Sequence, residues 1–147
     1  MFRGQFLHSV DQKGRTSMPV RFRDAVMADG DQRVVVTKAP FDPCLHVYPF
    51  RAWVAYEAKI SELPSHDPNI VRFRRTYISP ALEVEIDKAG RLRLSAEFRE
   101  QAQLSQEVLW AGMGKIIELW SRERWDEAVS MAEADAASYR DTIGALI

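Results

Sequence analysis

The sequence is poor in the residues that build disulfide frameworks, metal centres and membrane spans. Of its 147 residues one is cysteine and three are histidine. Cys44 has no partner for an internal disulfide. His8, His46 and His66 are scattered without metal-ligand spacing, so neither a structural metal nor a cofactor is expected. No run of about 18 apolar residues occurs. The start, MFRGQFLHSVD, lacks the basic-then-apolar order of a secretory signal, so a cytoplasmic chain with no membrane partner is expected. Net charge is slight, at -1, which argues against a protein that coats nucleic acid without selectivity.

What charge there is lies unevenly. Residues 1–38 carry +3, from Arg3, Lys13, Arg15, Arg21, Arg23, Arg33 and Lys38 against four acids, whereas 39–78 carry +1 and 79–147 carry -5. An anionic partner would meet the first segment preferentially, although charge alone reads more simply as an ordinary solvated surface. The hydrophobic fraction, 46%, is enough for a core, and the length fits one ordinary domain or two small ones.

An internal repeat organises the chain. FLHSVDQKGRTSMPVRFRDAV at 6–26 aligns without a gap on LEVEIDKAGRLRLSAEFREQA at 82–102, an offset of 76. Asp11, Gly14, Arg15, Phe22 and Arg23 fall on Asp87, Gly90, Arg91, Phe98 and Arg99. After small length changes the match resumes at an offset of 72, with LHVY (45–48) on IELW (117–120) and Trp53 on Trp125.

Both copies carry the same local signals. Alternation through Phe6–Val10 and Leu82–Ile86 predicts a strand with one buried face. D-x-x-G-R then predicts a tight hairpin: Asp11 and Asp87 bond nearby amides, and Gly14 and Gly90 supply positive φ, so each chain reverses with its basic side chains at the tip. A short second strand follows, Thr16–Met18 or Leu92–Leu94. Pro19 suits the first turn of a helix and Ser95 caps its counterpart, while Phe22 with Val26 and Phe98 with Ala102 form apolar stripes one turn apart. Val34–Thr37 and Val108–Trp110 predict strands, each joined by a turn to another at Leu45–Tyr48 or 116–120. Closing helices are expected near Pro49 and near Ser121, the latter a cap with Glu123 in the first turn.

The expected organisation is a first unit at 5–50, a helical linker at 51–80, a second unit at 81–124, and a C-terminal helix or tail at 125–147. Within the linker LPSHDPN breaks the chain, and Asp67 with Pro68 starts a helix over IVRFRRTY. One unit of about 45 residues has a small core by itself, so the two should pack into one pseudo-symmetric body. That brings DQKGR and DKAGR into related positions. Twofold symmetry suits a DNA duplex, and arginine at a rigid turn can grip phosphate or read a guanine edge. The spacing equally fits surface salt bridges from Arg15 to Asp11 and from Arg91 to Asp87.

FRGQFLHSVDQKGRTSMPVRFR at 2–23 resembles the N-terminal signature of the MraZ family, DKAGRLRLSAEFR at 87–99 its second D-x-x-x-R element, and IIELWSRERWDE at 116–127 the end of its second repeat. The resemblance covers about residues 1–127. It implies a mixed β/α fold, mainly β, in which tandem pseudo-symmetric SpoVT/AbrB-like units form a double-split β-barrel with short peripheral helices. It also implies a sequence-specific transcription regulator that binds double-stranded DNA. Such a regulator would act at the promoter of its own division and cell-wall gene cluster, as a ring-like homo-oligomer in the nucleoid. Expected DNA-binding residues are Arg3, Lys13, Arg15, Lys88 and Arg91, with Asp11, Gly14, Asp87 and Gly90 forming the turns. Two departures stand out: Ser95 replaces the usual proline, and the second turn's lysine, Lys88, sits one place earlier than Lys13, which makes Arg91 the firmer carry-over.

Three rival readings account for parts of the sequence. For an enzyme, the phosphate-loop lookalike Gly112-Met113-Gly114-Lys115 lacks the spacing and falls at a predicted turn. His8 shares a strand face with Phe6 and Val10 and is expected to be partly buried, and no nucleophile, base and acid form a set, so catalysis is not expected. An antitoxin-like protein would use its tail to wrap a protein partner, but here the unit is duplicated. An assembly scaffold would use Trp53, Trp110, Trp120 and Trp125 as interface anchors, whereas tryptophans at strand and helix starts are more often core.

Overall fold

The computed structural model describes residues 1–147. The first repeat runs β1 (Gln5–Ser9), β2 (Arg15–Ser17), α1 (Val20–Val26), β3 (Arg33–Lys38), β4 (Leu45–Pro49) and α2 (Phe50–Ser61). A linker of α3 (Pro68–Phe73) and a π-helical turn (Arg74–Ile78) follows. The second repeat runs β5 (Leu82–Glu85), β6 (Arg91–Arg93), α4 (Ala96–Gln101), β7 (Glu107–Gly112), β8 (Ile117–Ser121) and α5 (Arg122–Ala134), and α6 (Ala136–Ile143) trails it. No helix is long and apolar enough to cross a membrane.

Local signals place most boundaries as expected. Ser95 Oγ accepts from Phe98 N–H, Ser121 Oγ from Arg124 N–H, and Asp67 Oδ1 from Asn69 N–H, each capping its helix. Pro19 immediately precedes α1, where its missing N–H costs nothing. The tail extends as helix: α5 ends at Ala134 and α6 follows directly. Gly112–Lys115 is the β7–β8 turn, closed by Met113 N–H to the Ile116 carbonyl, and its Gly114 pairs with Phe2.

The strands pair between repeats. An antiparallel sheet has the order β1-β7-β8-β4-β3-β5, and a separate ribbon pairs β2 with β6. Exchanging each strand for its repeat counterpart reverses the six-strand order, so the sheet has an internal twofold. β1 borrows β7 of the second repeat, and β5 borrows β3 of the first. The axis passes through two register pairs of equivalent residues, Thr16 opposite Leu92 and His46 opposite Glu118. β1 and β5 each have one partner, so hydrogen bonding leaves the sheet open at both edges.

This corrects the expected hairpins. The turns form, with Asp11 N–H to the Arg15 carbonyl and Gly14 N–H to the Asp11 carbonyl, but the Val10–Thr16 bridge is the only backbone pairing that continues from the first turn. Beyond it β2 departs to β6. Met18 N–H donates to the Gly90 carbonyl and Leu94 N–H to the Gly14 carbonyl, so each strand ends on the other repeat's turn. In this ribbon Thr16 and Leu92 point inward and are 1% and 0% exposed, and Leu92 joins the shared core, a burial that favours the cross-repeat pairing.

One core of 18 buried residues takes side chains from both repeats, including Met18, Phe22, Val36, Leu94, Phe98 and Trp110. Phe22 meets Phe2 and Phe6 edge-on at 5.7 and 5.2 Å. The closing helices dock by equivalent aromatic pairs: Tyr48 with Trp53 at 5.0 Å and Trp120 with Trp125 at 5.6 Å, both T-shaped. Three of the four tryptophans are buried, Trp53, Trp110 and Trp120, and Trp125 is half-buried. Tyr77, from the linker, fills the space between β4 and α2, held by Thr37 Oγ1 donating to its carbonyl.

Gly14 has φ 81° and Gly30 has φ 82°. A Cβ on Gly14 would fall 2.7 Å from the Leu94 carbonyl oxygen, whereas nothing lies within 4 Å at Gly30. Gly30→Ala should therefore cost only the backbone strain, about 1–2 kcal/mol. Gly14→Ala should cost about 1–3 kcal/mol more, because the overlap prises the ribbon apart. Urea unfolding midpoints of the two variants check this, and equal losses would contradict the cross-repeat contact.

Candidate nucleic-acid interface

Each D-x-x-G-R turn is organised by its aspartate. Asp11 Oδ1 accepts from the Lys13 and Arg15 amides, both at 2.9 Å, and Oδ2 accepts from Arg15 Nε at 2.8 Å. The second turn repeats this: Asp87 Oδ1 takes the Ala89 and Arg91 amides at 2.9 Å, and Oδ2 takes Arg91 Nε at 2.9 Å. Spacing explains the match, since four residues around a glycine turn return the arginine to the aspartate. The hydrogen bond from the Arg15 amide holds the Asp11 carboxyl below its ordinary pKa, and the Arg91 amide does the same for Asp87.

The ion pairs and the presented arginines are one arrangement. Only Nε of Arg15 and of Arg91 is bonded to aspartate, so both terminal nitrogens of each guanidinium lack a partner in the chain. The side chains are 31% and 36% exposed, enough for that edge to reach a ligand. Aspartate thus fixes the arginine's direction and leaves a two-donor fork outward, the geometry that suits phosphate or a guanine edge.

The ribbon gathers these groups. With Thr16 and Leu92 inward, strand alternation puts Arg15, Ser17, Arg91 and Arg93 on the outer face. Arg15 lies opposite Arg93 and Ser17 opposite Arg91. Lys13 and Lys88 are exposed on the flanking turns. Lys13 shares a groove with Arg93, Ser95 and Arg99, and Lys88 shares one with Arg23 and Asp24, so each turn lies beside the other repeat's helix. Arg23 also packs over Gly90, and Arg99 over Gly14.

Arg3 is not part of this surface. It is exposed beside the β7–β8 turn, where Phe2 pairs with Gly114, at the opposite end of β1 from Asp11. Seven residues lie between Arg3 and Asp11, five of them β1, so the two are up to roughly 25 Å apart at the strand rise. Conversely, Arg93, outside the D-x-x-x-R elements, is gathered too; the alternation Arg91-Leu92-Arg93 is the signal that places it. His8 is half-buried, with Nδ1 against the Ser17 carbonyl at 2.5 Å, and serves to tie β1 to the ribbon. A separate cluster of Cys44, His46 and Glu118 lies on and beside β4 and β8, away from the ribbon.

Because folding lowers both aspartate values, the turns contribute stability that is complete above the unfolded carboxylate value and is lost as pH falls through the lower folded ones. Asp11→Asn with Asp87→Asn should therefore be less stable than wild type near neutrality. The difference should shrink as pH falls below about 4, read by thermal unfolding across pH. A gap that stays constant would contradict ionised aspartates.

Comparison with known proteins agrees with the duplicated architecture. The family model described as "MraZ protein, putative antitoxin-like" matches twice, over residues 1–76 and 77–142. A protein of Desulforamulus reducens named "Transcriptional regulator MraZ" is 40% identical over 143 residues, covering 97% of each chain. Proteins of the same name from a Marinomonas species and from Thermomicrobium roseum are 42% and 36% identical. The first alignment covers 86% of this chain and 83% of the other, and the second covers both in full. Two family matches that divide the chain into its two repeats, with full-length relatives at this identity, show that the chain belongs to the MraZ family.

Proposed function

We propose that this protein is a transcriptional regulator that binds double-stranded DNA through the outer face of the β2–β6 ribbon. One observation carries the reading: three guanidiniums, Arg15, Arg91 and Arg93, share that face, two of them aimed by aspartates. Arg93, directly opposite the Asp11-paired Arg15, has no carboxylate partner, so its positive charge is left for an anion to neutralise.

A two-stranded ribbon fits the major groove, where Arg15 and Arg91 would meet bases or phosphates near the ribbon's twofold axis. Lys13 and Lys88 would meet the phosphates on either side, and Arg3 would make no contact within that groove. The names of the relatives support regulation of transcription. On this reading the ribbon and sheet together form a double-split barrel, and the protein acts in the cytoplasm, on the nucleoid. Its target is the promoter of its own division and cell-wall gene cluster.

A single subunit offers few phosphate contacts, so useful affinity requires several subunits of a ring-like oligomer on repeated short boxes. Avidity would multiply modest affinities by roughly 10² or more. A second reading, antitoxin-like capture of a protein partner, has the family description and the exposed Met131 and Tyr139 of the C-terminal helices in its favour. A scaffold that anchors through tryptophan is less suited, because three of the four are buried.

Arg15→Ala and Arg91→Ala should each weaken binding to the DNA upstream of the protein's own gene by about tenfold to a hundredfold. Oligomer size should be unchanged, wild-type binding should fall steeply with salt, and removing boxes should collapse it. Salt-titrated binding with size measurement on each variant checks this. Unchanged affinity in both variants would make these arginines structural and turn the search to a protein partner.

A further inference from the structure

The three donor types that the sequence scatters meet at the centre of the sheet. Cys44, just before β4, and His46 on β4 come together with Glu118 on β8, with Sγ, an imidazole nitrogen and a carboxylate oxygen all within 4.8 Å of one another. Cys44 is fully buried and Glu118 is 8% exposed. The cluster sits on the internal twofold, since His46 and Glu118 are the register pair through which the axis passes.

The surroundings commit every other polar atom of these side chains. His46 Nδ1 is 2.6 Å from the Tyr77 hydroxyl, and that hydroxyl contacts Tyr48. Glu118 Oε1 accepts from Trp120 Nε1 at 2.9 Å. What remains is His46 Nε2, Glu118 Oε2 and Cys44 Sγ, the free donor atoms of a cluster whose ligand atoms lie within 4.8 Å of one another. Nε2 and Oε2 stand 3.5 Å apart, beyond normal hydrogen-bond length, so they do not close on each other. A phenolic oxygen can accept from Nδ1–H, which leaves the Nε2 lone pair free, and an orienting partner on the second imidazole nitrogen is the usual companion of a metal-bound histidine.

We propose that Cys44, His46 and Glu118 bind a thiophilic divalent cation of the zinc class. Sulfur, imidazole and carboxylate together favour such an ion over magnesium or calcium. Binding releases the thiol proton to solvent as the sulfur–metal bond forms, and no electron is transferred. A thiolate, a carboxylate and a neutral imidazole around a dication sum to zero charge, which suits a buried site. A buried ion pair of His46 and Glu118 with an idle thiol would instead carry a desolvation cost without good hydrogen-bond geometry. The side chains of His46 and Glu118 keep 13% and 10% exposure, which gives an ion a path in. Three protein ligands leave a fourth position for water. The ion would tie β4 of the first repeat to β8 of the second, and so lock the two repeats together at the axis.

The test uses the full chain, stripped with chelator and titrated with Co²⁺, then with Zn²⁺. One Co²⁺ per chain should bind with a thiolate-to-cobalt charge-transfer band, and Zn²⁺ should displace it and raise the melting temperature. Cys44→Ser should abolish the band. Glu118→Gln, which keeps the acceptor for Trp120, should weaken Co²⁺ binding at least tenfold, as should His46→Gln. Circular dichroism establishes that each variant is folded. Absence of the band in folded wild type would overturn the site, and so would a band of unchanged affinity in folded Glu118→Gln and His46→Gln, which would reduce it to a lone thiol.

Discussion

Everything in this structure depends on the reciprocal pairing of the two repeats. Neither copy contains a finished sheet: β1 has no partner except β7, β5 none except β3, and β2 none except β6. The apolar faces that the alternating pattern creates are buried only when the copies interleave, so the single core of 18 residues is common property. The ribbon centre, Thr16 against Leu92, is where this constraint reaches the surface. Three-residue strands have little independent stability. They persist here because their inner side chains are core and because Gly14 and Gly90 accept the hydrogen bonds at either end.

On the proposed reading, that constraint also shapes the surface that would meet DNA. Two arginines on flexible loops would lose rotamer freedom on meeting a duplex, at a cost of about 0.5–1.5 kcal/mol each. In this ribbon, folding has already met much of that cost, because Asp11 and Asp87 hold the Nε ends in place. The aspartates reduce net charge locally and so lower nonspecific attraction, yet they leave the reading edges free. Nearly neutral overall charge with a few well-aimed forks favours selectivity over coating. In that proposal affinity would come from multiplicity, which is why an oligomer on repeated boxes belongs to it.

Much of the fold was legible because its signals are local. The offset of 76, the alternation in Phe6–Val10, the caps Ser95, Ser121 and Asp67, and the stripe Phe22–Val26 each act within one turn or one strand. The pairing partners were not legible. A three-residue strand such as Arg15–Ser17 can zip back onto β1 or cross to β6 with the same local geometry, and long-range contacts, the burial of Leu92 in the shared core among them, favour the second. The site was half legible for the same reason. Asp11 and Arg15 are four residues apart and meet inevitably, but Arg93 joins Arg15 only through cross-repeat register. Arg3, close to the turn in sequence, is carried away by an extended strand. Glu118 lies 72 residues from His46 and meets it only because the two copies of one strand pair at the axis.

The central claim is that the ribbon's outer face, and not the far end of β1, lies in the DNA groove. Site-specific photocrosslinking to promoter DNA tests it most directly, with a photoreactive side chain at Ser17 in one protein and at Arg3 in another. The account predicts crosslinks from position 17, confined to the boxes and lost in high salt, with none from position 3 at the same boxes. Crosslinks from position 3 with none from position 17 would contradict it.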